Sequence, residues 1–215
     1  MPATLTLGAN SYELTDNTNF ATQYPGVNLG GADNITVVGS VANYGLDTST
    51  GADTLLISAT LTGGTISTGG NTDIITVGGS VSNSTIYGGS ANDTLIIAAN
   101  ASGTTFSGGN NMDSITLNAG VTLTGGTIQG GTQNISADAD TITLSGAGSG
   151  TRIANFSKSF DTLVIGSNVI TSADWAGTTS NINTVYSSIA YTGVNEDIEA
   201  LNTWLAAGGN TITLI

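Results

Sequence analysis

The sequence predicts an all-β chain folded as a single parallel β-solenoid, and three observations predict it. First, Asp33, Asp53, Asp73, Asp93 and Asp113 stand 20 residues apart, and Asp140 and Asp161 follow after 27 and 21. A fixed period of this size is the mark of stacked coils. Second, each aspartate opens the same pattern of two aliphatic residues separated by one, as in Asp33-Asn-Ile-Thr-Val and Asp113-Ser-Ile-Thr-Leu. That alternation suits a half-buried strand. Third, the segment before each of the first five aspartates is rich in glycine, as in Gly30-Gly31, Gly51, Gly69-Gly70, Gly88-Gly89 and Gly108-Gly109, where turns are needed.

The elements follow in order. Residues 1–27 lie off the repeat and are expected to cap the open end, with Thr4-Leu5-Thr6-Leu7 as an opening strand. Residues 28–166 form about seven coils. Four apolar columns line them: Ile35 to Leu163 two residues after each aspartate, and Val37 to Ile165 four after. Val41, Leu61, Val81, Ala101 and Val121 stand eight after. Leu46, Ile66, Ile86, Phe106, Ile128 and Ile153 form the fourth column. Two strands and two turns per coil account for them, with the columns facing each other in a thin core. The seven-residue excess before Asp140 reads as a loop within 122–139. Residues 167–215 are expected to cap the far end. They include a helix over about 195–207, with Asn195 as N-cap and Ile198, Leu201, Trp204 and Leu205 on one face.

Composition bounds the partners. Fifteen acids face only Arg152 and Lys158, for a net charge of −13. Two basic residues cannot track a phosphate backbone, which excludes nucleic acid, and anionic membranes are disfavoured. No apolar run is long enough to span a bilayer. Metal cations are the natural partners. Like charges stacked about 5 Å apart repel by roughly 0.8 kcal/mol in water and several times more at lower dielectric. A hard dication such as Ca²⁺ relieves this, because it takes 6–8 oxygens from carboxylates, carbonyls and water. The candidate ligands are Asp33, Asp53, Asp73, Asp93, Asp113, Asp138, Asp140 and Asp161, with turn carbonyls beside them.

Two turns carry a resemblance. Gly88-Gly89-Ser90-Ala91-Asn92-Asp93-Thr94-Leu95 and Gly108-Gly109-Asn110-Asn111-Met112-Asp113-Ser114-Ile115 resemble the Gly-Gly-x-Gly-x-Asp-x-Leu nonapeptide of the repeats-in-toxin (RTX) calcium-binding β-roll family. The resemblance covers about residues 28–166. It implies calcium between stacked turns and export by type I machinery without a cleaved leader. Met1-Pro-Ala-Thr-Leu-Thr has neither the basic start nor the apolar core of such a leader. Family repeats come every nine residues with calcium on both edges, whereas one aspartate turn per 20 residues leaves a single edge for ions.

With no His and no Cys, the chain lacks the residues of a serine triad, a thiol nucleophile or a typical zinc site. Regularly stacked carboxylates would share one environment, and acid–base catalysis needs acids with separated pKa values. A non-enzymatic role is therefore expected. The leading class is an extracellular structural protein that self-assembles as a cell-surface layer, sheath or filament. A virion component such as a fibre, spike or capsid decoration is the alternative. An ice- or carbohydrate-binding module is a third, resting on an outward row of Thr65, Thr85, Thr105 and Thr127. Tyr44 and Tyr87 are expected on the outer surface.

Overall fold

The computed structural model describes residues 3–7, 10–14, 16–131, 138–149, 151–156, 160–165, 168–170, 196–202 and 211–214. They form a parallel β-solenoid of six complete turns plus the opening strand of a seventh. Each turn has three strands, not the expected two. The third apolar column makes a strand of its own, because its residues pair coil to coil: Val41↔Leu61, Leu61↔Val81 and Val81↔Ala101.

The first sheet, here the aspartate sheet, stacks Asn34–Val38, Thr54–Ile57, Ile74–Val77, Thr94–Ile97, Ser114–Leu117, Thr141–Leu144 and Thr162–Ile165. The narrow sheet runs from Ser40–Ala42 to Ala147–Ser149. A third, the threonine sheet, runs from Gly45–Asp47 to Arg152–Phe156. Register is strict, with Ile35↔Leu55, Leu55↔Ile75, Leu95↔Ile115 and Ile142↔Leu163 in contact across coils. These columns converge in one continuous core of fully buried aliphatic side chains. No single coil encloses that core, so stability resides in the contacts between coils.

The excess before Asp140 is divided, not a single loop. Ala101 pairs with Leu123 and Gly109 with Gly131, each 22 residues on, so two extra residues enter near the turn at 118–121. Leu123, not Val121, therefore continues the third column. The other five enter between Gly131 and Asp140; residues 132–137 lie outside the described part.

Antiparallel strands close the stack. Ala3–Leu7 pairs with Asn34–Val38 on one side and with Asn10–Leu14 on the other. The Asn17 amide donates to Ala42 O (2.9 Å) and the Gly45 amide to Thr18 O (2.9 Å), so residues 17 and 18 seal the first edges of the other two sheets. Tyr12, Phe20 and Tyr24 pack as a trio over this end, with ring centroids 4.9–5.4 Å apart. At the far end the predicted helix is not formed. Glu196–Asn202 is a strand, antiparallel to Arg152–Phe156 with Ile153 opposite Ile198, and Thr211–Leu214 adds a further strand. An open sheet edge presents unpaired amides and carbonyls that a strand satisfies and a helix does not. Residues 195 and 203–207 of that helix lie outside the described part.

Tyr44 is also corrected: it is buried, not on the surface. Its position holds Gly64 and Ser84 in the next two coils, and only under the apolar end cap does a ring fit there.

Candidate functional site

The strict register brings all seven repeat aspartates into one column along the edge of the aspartate sheet. Asp53, Asp73, Asp93, Asp113, Asp140 and Asp161 are 97–100% buried; Asp33, in the first coil, is half-buried. Each lies two residues before an inward aliphatic residue, so its carboxylate points toward the interior.

The column is a hydrogen-bonded ladder. The Asp33 amide donates to Asp53 Oδ1, Asp53 to Asp73, Asp73 to Asp93, Asp93 to Asp113, Asp113 to Asp140 and Asp140 to Asp161, all at 2.7–2.9 Å. In a parallel sheet this amide would seek a carbonyl of the next coil. Here the chain is leaving the turn, and the side-chain oxygen substitutes. An aspartate at this position therefore pairs a backbone donor that would otherwise be buried without a partner.

The second oxygen divides the row. In the coils of Asp53 and Asp73, the residue five positions earlier is Thr48 or Thr68, both fully buried. The Thr48 hydroxyl contacts Asp53 Oδ2 and also Thr68 O at 2.9 Å. The Thr68 hydroxyl donates its only proton to Gly88 O at 2.7 Å, and Asp73 Oδ2 is left without a donor. In the coils of Asp93 and Asp113 the equivalent residues are Gly88 and Gly108. A methyl group on Gly88 would sit 2.5 Å from Gly108 O and 2.6 Å from Asp93 Oδ2. On Gly108 it would sit 2.4 Å from Asp113 Oδ2. These glycines make room for the carboxylate itself, and Oδ2 of Asp93 and of Asp113 has no hydrogen-bond partner.

The electrostatics follow. Burial pushes the Asp93 carboxyl up to about 7, with the Asp73 amide opposing and the Asp73 charge adding. Burial pushes Asp113 to about 8 and Asp140 to about 7, with neighbouring aspartates adding in both cases. Asp73 is raised by burial as well, with the Asp53 amide and the Thr68 hydroxyl opposing. The acids are therefore not equivalent, contrary to the symmetry expected from the repeat.

Asp138 stands outside the column but is equally buried. It comes with the insertion and accepts from the Asn111 amide through Oδ1. A methyl on Gly131 would meet Asp138 Oδ2 at 2.3 Å and Asp140 Oδ2 at 3.1 Å, so two carboxylates converge on that glycine. The flanking glycines serve a different end. Gly51, Gly89 and Gly109 have φ of +122° to +135°, and a methyl there would lie 1.9–2.2 Å from a carbonyl oxygen of the preceding coil.

The remaining surface is uncharged over a long stretch. Between residues 54 and 131 the only Asp, Glu, Lys or Arg residues are Asp73, Asp93 and Asp113, all buried. Thr65, Thr85, Thr105 and Thr127 do form an outward, in-register row on the threonine sheet. Ser80, Ser82, Asn100, Ser102, Thr122 and Thr124 line a shallow groove along the narrow sheet.

Sequence reasoning found the aspartates but not the role of the residue five places before Asp53, Asp73, Asp93 and Asp113. The switch from Thr48 and Thr68 to Gly88 and Gly108 is visible when the coils are aligned. Compared with family models, curated proteins and solved structures, the chain finds no match in any of the three.

Proposed function

We propose that the chain is a non-enzymatic structural protein of the cell exterior. It acts as a stiff, calcium-stabilised solenoid of RTX type that assembles with its own copies into a surface layer, sheath or filament. The observation that carries this reading is the aspartate ladder. It spends a column of buried carboxylates on holding coil to coil, and it leaves Oδ2 of Asp33, Asp73, Asp93 and Asp113 buried without a partner. Orphaned carboxylate oxygens packed against glycine backbone are the chemistry a hard cation seeks.

The residues that would hold calcium are drawn from Asp33, Asp53, Asp73, Asp93, Asp113, Asp138, Asp140 and Asp161. Among the described residues no three acids gather at one point, so each ion would need turn carbonyls as well. Bound calcium would supply the positive charge that the interior of the ladder lacks. The uncharged surface between residues 54 and 131 supports assembly, because copies meeting there face no like-charge repulsion.

The test is thermal melting and light scattering of the full chain in calcium and in chelator. Calcium is expected to raise Tm, since a ligand bound only by the folded state stabilises it by mass action. It is also expected to increase particle size. An unchanged Tm removes calcium from the proposal, and a monomer at high concentration in calcium removes assembly.

A further inference from the structure

The coils of Asp53, Asp73, Asp93 and Asp113 differ at one inward position, and that difference predicts which of them can take an ion. Thr48 places a hydroxyl between the carboxylate of its own coil and the carbonyl of the next; the Thr68 side chain fills the same place but gives its proton to Gly88 O, so Asp73 Oδ2 has no donor. At Gly88 the same two kinds of oxygen, Asp93 Oδ2 and Gly108 O, flank the place where that side chain would begin, and no hydroxyl lies between them. Asp93 and Asp113 are 2% and 3% exposed, and their Oδ2 atoms have no partner. Two facing acceptors with no donor repel, and either a proton donor or a cation relieves them. Thr48 supplies that donor permanently, and Thr48 and Thr68 both fill the volume; a buried side chain cannot step aside for an ion without leaving a void.

We propose that cation binding is confined to the glycine coils, at Asp93, at Asp113 and at the Asp138–Asp140 pair, and that the buried side chains of Thr48 and Thr68 occupy the ion's place in their coils. This rests on the calcium reading above and narrows it. In the Asp140 coil Gly130 holds the place of Gly88 and Gly108, with a methyl on it 2.1 Å from Asp140 Oδ2, and Asp138 adds a second carboxylate beside Gly131, so that coil is the tightest of the three. Asp33 and Asp161, at the ends of the row, stand apart from the comparison.

The experiment is native mass spectrometry of the full chain, stripped with chelator and titrated with calcium chloride, with circular dichroism confirming the fold of each variant. The wild type is expected to take three ions. Thr68→Gly, which opens the position without adding a charge, gains one ion. Thr68→Ser, which keeps the hydroxyl, gains none. Asp93→Asn and Asp113→Asn keep the oxygen that accepts the amide and each lose one ion, whereas Asp53→Asn loses none. Asp138→Asn weakens the first-filling site by at least tenfold. An ion at every turn, with Asp53→Asn losing one as Asp93→Asn does, overturns the partition and leaves the calcium reading standing. So does a Thr68→Gly protein that folds and gains nothing. A wild type that binds no calcium at millimolar concentration overturns the calcium reading, and the partition with it.

Discussion

The two threonine coils, at Asp53 and Asp73, and the glycine coils that follow them share a backbone path, a register and an apolar core. They differ in what stands behind the aspartate. With a threonine, a hydroxyl fills the space and the interior is hydrogen-bonded from coil to coil. With a glycine, the carboxylate leans onto bare backbone and keeps one oxygen unpartnered. The lesson is that a repeat can hold its geometry constant while a single inward position sets its electrostatics. In the first pair a threonine fills the place beside the carboxylate, although Asp73 Oδ2 still lacks a donor; in the glycine coils that place is open.

The largest effect expected from this contrast is on pH dependence without metal. The folded-state values near 7, 8 and 7 for Asp93, Asp113 and Asp140 lie above the ordinary aspartate value of 3.8. Between these limits the folded chain holds protons that the unfolded chain has released. The stability they contribute is complete below about pH 4 and is lost as pH rises through 7 to 8. At about 1.4 kcal/mol per tenfold in proton affinity and 2–4 °C per kcal/mol, the Tm in chelator is expected to drop by at least about 10 °C from pH 5 to pH 8.5. Asp113→Asn, which keeps the acceptor and removes the charge, should raise the alkaline Tm and flatten the slope. A Tm that climbs with pH would show the carboxylates to be well satisfied as anions, and the contrast would collapse.

Next in size is the addition of a methyl group to a glycine coil. Gly88→Ala meets the Gly108 carbonyl, which is backbone and cannot swing away. Overpacking of this kind costs about 3 kcal/mol. Urea unfolding measures it, and a variant as stable as wild type would mean that the turn has room for a side chain after all.

A smaller loss is expected from emptying a threonine coil. Thr68→Ala removes the donor to Gly88 O and costs about 2 kcal/mol in the same assay, while Thr68→Ser costs less than about 1 kcal/mol. Equal losses for the two variants would assign the effect to the methyl group and not to the hydroxyl.

The smallest effect is a gain. The Tyr44 hydroxyl is buried under the N-terminal cap with no partner, beside a small apolar void lined by Leu14, Val37 and Leu46. Tyr44→Phe is expected to stabilise the protein by about 1 kcal/mol. A loss on this substitution would point to a buried water bonded to the hydroxyl.

Much of the fold was legible because the period is strict. Residues such as Ile35, Leu55 and Ile75 recur at one spacing, and equal spacing puts them in one buried column. The third strand was harder to see. Val41 and its equivalents stand alone between turn residues, in segments of only two or three residues, too short for an alternation to register. The helix over 195–207 was misread because the spacing of Ile198, Leu201 and Leu205 satisfies a helical face, whereas the open edge at Arg152–Phe156 selects a strand. Tyr44 was misplaced because its coil-mates Gly64 and Ser84 gave no sign of an apolar cap above it.

For the site, the sequence by itself determined that seven aspartates stack on one edge, because the interval of 20 through Asp113 and the same strand pattern after Asp140 and Asp161 fix their register whatever the details of the turn. Only the tertiary structure decided what they do there. Each aspartate finds its amide partner one coil away, at 20, 21 or 27 residues' distance. Whether its second oxygen meets a hydroxyl depends on a residue that is distant in role but adjacent in space. Spacing along the chain encodes the column. Bonds between coils, and the burial they enforce, decide its charge.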